Sequence, residues 1–266
     1  MPTRFDRDTA VELLDPGLGV HQGHVDPGWW VVQGPNGGYL AAILLRALAQ
    51  RVEPARAARS LTVHYTARAG AGPVRIETRV VREGRSLSTV TGRMLQGERL
   101  LALALAAFSR PRPGASFDHA EMPEVAAPEA CPSFPSRVPF HDRFEHRWAI
   151  GGPPGSGSRE ARIGGWIRGA EPQLAGAPLV AAFTDAWPPA CFAWMSEGVI
   201  LGGVPTIDLT IHFRRELPLA AALPDDFYLA VFRSRVAEQG FIEEDGEVWS
   251  RDGSLLAQSR QLAVLG

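Results

Sequence analysis

The sequence repeats itself, and the repeat limits what it can fold into. Leu61-Thr62-Val63-His64-Tyr65 returns as Leu209-Thr210-Ile211-His212-Phe213, an offset of 148 residues. Further on, Gly97-Glu98-Arg99-Leu100-Leu101-Ala102 returns as Gly253-Ser254-Leu255-Leu256-Ala257, with one residue fewer before the leucines. Two matches in the same order, each downstream of a helix-like segment, point to a duplicated unit, and a duplicated unit has to be recognised before any fold is assigned.

The first copy is the clearer one. After the turn cluster Gly34-Pro35-Asn36-Gly37-Gly38 comes YLAAILLRALAQRV, from Tyr39 to Val52. Its only polar members after the tyrosine are Arg46, Gln50 and Arg51, so it reads as a helix apolar nearly all round and therefore buried. Ser60 to Thr66 is β-branched and aromatic, and Val74 to Val80 alternates with Arg75, Glu77 and Arg79, the period of a strand with one wet face. Leu87 to Leu95 and Leu100 to Phe108 follow, with Gly84-Arg85 and Gly97-Glu98 as tight turns. Upstream, Trp29-Trp30-Val31-Val32 reads as a strand.

Seven prolines between Pro111 and Pro139, without periodicity, predict a surface linker. Regular signals resume at Phe140 to Ile150 and Ile163 to Arg168. A helix-like segment runs from Leu179 to Met195, and strands are expected at Thr206 to Arg214, Phe227 to Val236, Phe241 to Ser250 and Ser254 to Val264.

Inside that second helix-like segment lies Phe183-Thr184-Asp185-Ala186-Trp187-Pro188-Pro189-Ala190. A lone carboxylate in apolar surroundings needs partners, and a proline inside a helix costs about 3 kcal/mol. A local rule broken this openly marks a candidate functional site, with Asp185 at its centre; the plainer alternative is that the prolines end a helix and Asp185 caps it. Applying the offset of 148 to Gly37 reaches Asp185, which places Asp185 where the Gly-Gly turn and helix start lie in the first copy.

Composition narrows the function. A net charge of −2 over 266 residues gives no electrostatic case for nucleic acid or an anionic membrane. Two cysteines, Cys131 and Cys191, carry neither a disulfide framework nor a metal spacing. The apolar run from Leu100 to Phe108 is too short to span a bilayer, and no apolar core of signal-peptide length stands near Met1; a cytoplasmic protein is expected.

Taken together, GPNGGYLAAILLRAL (34–48), VHYTARAG (63–70), GRSLSTVTGRMLQGERLLALALAAF (84–108), FTDAWPPA (183–190), PTIDLTIHF (205–213) and DGSLLAQSRQLA (252–263) resemble the acyl-CoA thioesterase II family and its thioesterase-like relatives. The resemblance spans roughly Trp29 to Leu265, the linker excepted. It implies an α+β double hot dog: two tandem units, each a long buried helix wrapped by an antiparallel sheet. The units would be residues 1–110 and 140–266, joined by the linker 111–139. It further implies a hydrolase acting on a fatty acyl-CoA thioester with no cofactor, and units that can pair again by extending their sheets.

In that family an Asp, a Thr or Ser and a Gln position a water against the thioester carbonyl. Carried over residue by residue, these fall on Asp185, Thr206 and Gln261. Thr210 is a competing hydroxyl, read on the same strand face as Thr206 and one repeat length from Thr62. Gln258 is the fallback amide; three residues from Gln261, it faces the other side of the strand. Asp208, beside Thr206, is assigned to the other sheet face.

The residue types suit the chemistry. A carboxylate in a partly dry pocket becomes a better base near neutral pH, and Thr and Gln orient water without titrating. Gly37 and Gly38 are candidates for substrate binding: glycine allows close approach, and backbone N–H groups at a helix start can face an oxyanion. A structural role is expected for His64 and His212, and core or acyl-pocket packing for Trp166, Trp187 and Trp194. Arg85, Arg214 and Arg215 could meet coenzyme A phosphates or be solvated.

Several rivals are weaker. A hot-dog hydratase would want a His about five residues after the Asp, and position 190 is Ala. Gly155-Ser156-Gly157-Ser158 lacks the strand-to-helix context of a nucleophile elbow, and no ligand cluster suggests a metal. A non-catalytic acyl-CoA or lipid-binding protein of the same fold is the rival from another class.

Overall fold

A computed structural model describes residues 1–32, 34–134, 138–196 and 203–265. Among them the first half holds helix α1 (Arg4–Asp8), strands β1 (Glu12–Asp15) and β2 (Val20–Val25), helix α2 (Gly37–Ala49), and strands β3 (Ala57–Tyr65), β4 (Gly72–Glu83), β5 (Leu87–Gln96) and β6 (Arg99–Ser109). The second half holds β7 (Phe144–Ile150), β8 (Arg162–Gly169), helices α3 (Ala177–Phe183) and α4 (Cys191–Trp194), then β9 (Thr206–Phe213), β10 (Tyr228–Arg233), β11 (Ala237–Glu238), β12 (Phe241–Ser250) and β13 (Leu255–Val264).

The strands form one antiparallel sheet in the order β1-β2-β4-β5-β6-β3-β9-β13-β12-β10-β8-β7, with β11 beside β12. This order is palindromic: six strands from each half, joined where β3 pairs with β9. Residues 148 apart face each other at Thr62 and Thr210, whose hydroxyl oxygens are 3.1 Å apart. A local twofold therefore passes between these two threonines, and the repeated pentapeptides are the seam of the molecule. The sheet wraps the buried helices, which is the double hot dog.

Helix α2 forms because Asn36 caps it, accepting the Tyr39 N–H at 2.9 Å, and because good helix formers fill its length. Its polar positions are met by the N-terminal segment: Arg46 pairs with Asp6 at 2.6 Å and Gln50 donates to the Val11 carbonyl. The expected strand at residues 29–32 is absent. Pro27–Trp29 forms a 3₁₀ turn, because Trp29 folds inward to stack on Tyr39 with ring centroids 4.6 Å apart.

The second helix is not one long helix. Helix α3 stops at Phe183 and only Cys191–Trp194 is helical again. Pro188 and Pro189 supply no N–H, and a residue before proline is pushed out of the α region. The helices also depart from the 148-residue offset: α2 starts at 37 and α3 at 177, an offset of 140. Asp185 thus lies just beyond the end of its helix, not at a helix start, which corrects the placement expected from the repeat.

The linker is exposed throughout residues 111–121, and beyond them packed residues alternate with exposed ones: Met122 and Val125 lie against a cluster containing Trp166 and Trp249, and the Trp166 indole donates to the Ala126 carbonyl at 2.8 Å. Its residues 135–137 lie outside the described ones. The outer edge of β7 is partly taken by residues 132–134, through Phe134 N–H to His146 O and Trp148 N–H to Pro132 O. No helix among the described residues is long and apolar enough to cross a membrane.

Candidate active site

The site forms where the start of α2 meets the chain just past α3. Four backbone N–H groups at a helix start lack intrahelical partners. Here one goes to the Asn36 side chain and another, on Gly38, donates to Asp185 Oδ2 at 2.9 Å. The Asn36 amide donates to the same oxygen at 3.0 Å and to the Asp185 carbonyl at 2.6 Å. Tyr65 closes the floor, its hydroxyl donating to the Gly37 carbonyl at 2.7 Å.

Both glycines are needed for this approach. A Cβ on Gly37 would lie 3.0 Å from Asp185 Oδ2, and one on Gly38 would lie 2.9 Å from the Ala182 carbonyl oxygen. The latter is backbone and cannot swing away. Gly38→Ala is therefore expected to push α2 off α3 and lower stability by about 1–3 kcal/mol, read from urea unfolding. Asn36→Ala removes the cap and a carboxylate partner together. An expected loss of about 1 kcal/mol should appear as a fall in Tm of about 2–4 °C.

Thr206 and Gln261 reach the same place from adjacent strands, and a β-bulge makes this possible. Along β9, Asp208 pairs with Leu262 and Thr206 with Ala263, so Ile207 is an extra residue. A bulge re-aims the side chains beyond it. Thr206 consequently shares the inner face with Gln261, and its hydroxyl donates to Gln261 Oε1 at 2.9 Å. Asp208 turns outward as expected. Thr210 goes with it, which corrects the expectation that it shares a face with Thr206: without the bulge all three would lie on one side. Gln258 also faces out, accepting from Arg214, whereas Gln261 is buried.

Sequence reasoning missed Glu244. It lies opposite Gln261 on β12, buried, and accepts from Gln261 Nε2 at 2.8 Å and from the Ala190 N–H at 2.5 Å. The signal was present: Ile242, Glu244, Gly246 and Val248 alternate on one face, and a charge on an otherwise apolar face needs a reason. Gln261 also lies close enough to Asp185 to favour its ionised form. One amide thus links the Thr206 hydroxyl on one side with the Glu244 carboxylate on the other.

The electrostatics follow from this packing. Burial pushes the Asp185 carboxyl up to about 6, with the Gly38 N–H, Gln261, the Gly37 N–H and Asn36 pulling the other way. Burial pushes Glu244 up to about 7, against the Ala190 N–H and Gln261 and with help from the charge of Asp185. Asp185 keeps a partly exposed edge and so does Thr206, so water can reach both while the groups behind them are dry.

The same register shows what the first half has in these places. Residue 59 is a bulge like Ile207: Ala58 pairs with Phe108 and Ser60 with Ala107. By strand register Thr206 corresponds to Ala58, Gln261 to Ala106 and Glu244 to Val90. Counting from each helix start, Asp185 corresponds to Leu45. The duplicated position keeps the strand register and carries none of these polar groups.

Other candidates fall elsewhere. His64 and His212 are exposed on the outer sheet face. Trp187 packs edge-on to His146 and Trp148, while Trp194 is 55 % exposed and is not core. Arg214 and Arg215 lie past the far end of β9 from Thr206. With Arg59, Arg110 and Arg112 they line an open cavity of about 410 Å³.

Comparison with known proteins places the chain among its relatives. A family model described as the acyl-CoA thioesterase C-terminal domain matches residues 118–265, and one described as the acyl-CoA thioesterase N-terminal domain matches residues 26–109. A hot-dog protein of unknown function from Alicyclobacillus acidocaldarius is similar at 28 % identity and a TM-score of 0.89, covering 100 % of this chain and 99 % of that one. A putative thioesterase II from Thermobifida fusca follows at 26 % identity and 0.83, covering 99 % and 98 %. An acyl-CoA thioesterase II from Mycobacterium marinum, at 19 % identity and 0.79 with 98 % of each chain covered, shares the fold. No curated protein matches the sequence.

Proposed function

The chain belongs to the acyl-CoA thioesterase family, hydrolases of acyl-CoA thioesters, and from that premise we propose that it hydrolyses a fatty acyl-CoA to free acid and coenzyme A at Asp185, Thr206 and Gln261. One observation carries this reading: the Thr206 hydroxyl donates to Gln261, and that amide lies close to the Asp185 carboxylate held at the start of α2. Thr206 gives its proton to Gln261, so toward a water it acts as an acceptor. A water between Thr206 and Asp185 donates to both and turns a lone pair toward the thioester carbon.

Asp185, as general base, takes the water proton while the oxygen attacks the carbonyl. Negative charge then develops on the carbonyl oxygen near Gly37 and Gly38, at the positive end of the α2 dipole. As Asp185 becomes neutral its hold on the Gly38 N–H weakens, and that donor is released to the oxyanion. Collapse breaks the C–S bond, and the proton on Asp185 passes to the departing thiolate. With its counterpart apolar, each chain carries one such site.

The test is release of free coenzyme A from acyl-CoAs of graded chain length, alongside ligand binding. Release over some range of chain lengths, lost in Asp185→Asn, supports the reading. Binding without release across the whole series overturns it in favour of a non-catalytic acyl-CoA-binding protein.

A further inference from the structure

We infer that Glu244 is a positioning residue that fixes which way the Gln261 amide points. The inference rests on the reading of Asp185, Thr206 and Gln261 given above. An amide can present either end, and only its partners decide. Glu244 accepts from the nitrogen end; Thr206 meets the oxygen end. Flipping the amide would turn its oxygen on the Glu244 carboxylate and its NH₂ on a hydroxyl that must then accept. That polarity forces Thr206 to act as acceptor toward the water.

Glu244 also anchors the broken helix. After Pro188 and Pro189, Ala190 offers the first free N–H, and it goes to Glu244. The His146 ring, with Nε2 at 3.0 Å, meets the Ala186 carbonyl, and Asn36 meets that of Asp185. The segment that carries Asp185 thereby has its backbone groups satisfied from outside. One carboxylate ties this segment to the strand that carries Gln261.

The groups facing Glu244 are Gln261 from β13, Asp185, the Ala190 N–H and Cys191 from the segment around the prolines, and Glu243 on its own strand. None is a cation. Protonated Glu244 would become a donor where Gln261 needs an acceptor, so its protonation should add to the loss of the site on the acid side. Glutamine at 244 copies that protonated state at every pH.

The test is a double-mutant cycle with kcat, KM and pH profiles. Glu244→Gln should lower kcat on the order of 10- to 100-fold with KM little changed, as expected for a misplaced reacting group. In a Gln261→Ala background the same change should cost less than about twofold, because its route is gone. The acid limb of kcat/KM should fall with two protons in the wild type and one in Glu244→Gln. An equal cost in both backgrounds, or an unchanged limb, would make Glu244 a structural prop and overturn the inference. If Gln261→Ala is crippled and Glu244→Gln is not, only this inference fails; if Gln261→Ala is fully active, the role given to Gln261 fails with it. Should Glu244→Gln not fold, Glu244→Asp, too short to reach both partners, must reproduce the loss of kcat.

Discussion

Asp185→Asn should lower kcat by roughly two to four orders of magnitude, the usual contribution of a positioned general base. Asparagine can still accept from the Gly38 N–H and the Asn36 amide, so the start of α2 keeps its partner and KM should move little. It cannot take a proton. In the wild type kcat/KM should decline as pH falls, over the range set by Asp185 at about 6 and Glu244 at about 7. Coenzyme A release at pH 8, above both, is the cleanest comparison. Activity within a few-fold of wild type would remove Asp185 from the mechanism.

The same substitution should make the protein gain in relative stability as pH rises. Asp185 titrates near 3.8 when unfolded and at about 6 when folded. Between those values the native state binds more protons than the unfolded one, so stability falls with rising pH. This contribution is fully present below pH 3.8 and is lost by about pH 6. Over that window the difference between Asp185→Asn and wild type should move in favour of the variant by up to about 3 kcal/mol. Surface carboxylates paired with arginine act in the opposite sense at lower pH: Arg260 beside Asp245 holds that carboxyl below its usual range. They are common to both proteins and cancel. Urea unfolding from pH 4 to 8 reads the difference directly, and a constant offset across the range would mean that Asp185 is not a buried charge. A carboxylate that costs stability is what the catalytic role proposed for Asp185 would account for.

Much of this was legible before any coordinates. The repeated pentapeptides, the wholly apolar helix after the glycines and the alternating strands state local preferences that the fold satisfies. Asp185 stood out because a charge among apolar residues and a proline pair each break a rule of the helix around them. Glu244 could have been found by the same test, applied to the inward face of its strand. The proline pair allows a break in the second helix, but the composition is helical on both sides and does not say where it falls.

What the sequence by itself determined is the inventory: two copies of one unit, a capped buried helix, and an acid, a hydroxyl and an amide as candidates. Those depend on composition and period, which are local. What only the tertiary structure decided is which way the side chains face and whom they meet. A period of two puts Thr206, Asp208 and Thr210 on one face; the extra residue at Ile207 turns Thr206 inward to Gln261. A bulge belongs to the register between two strands, and neither strand carries it alone. The Gly38 N–H and the Asp185 carboxylate are 147 residues apart in sequence, and they meet because a twofold seam at Thr62 and Thr210 folds one copy against the other.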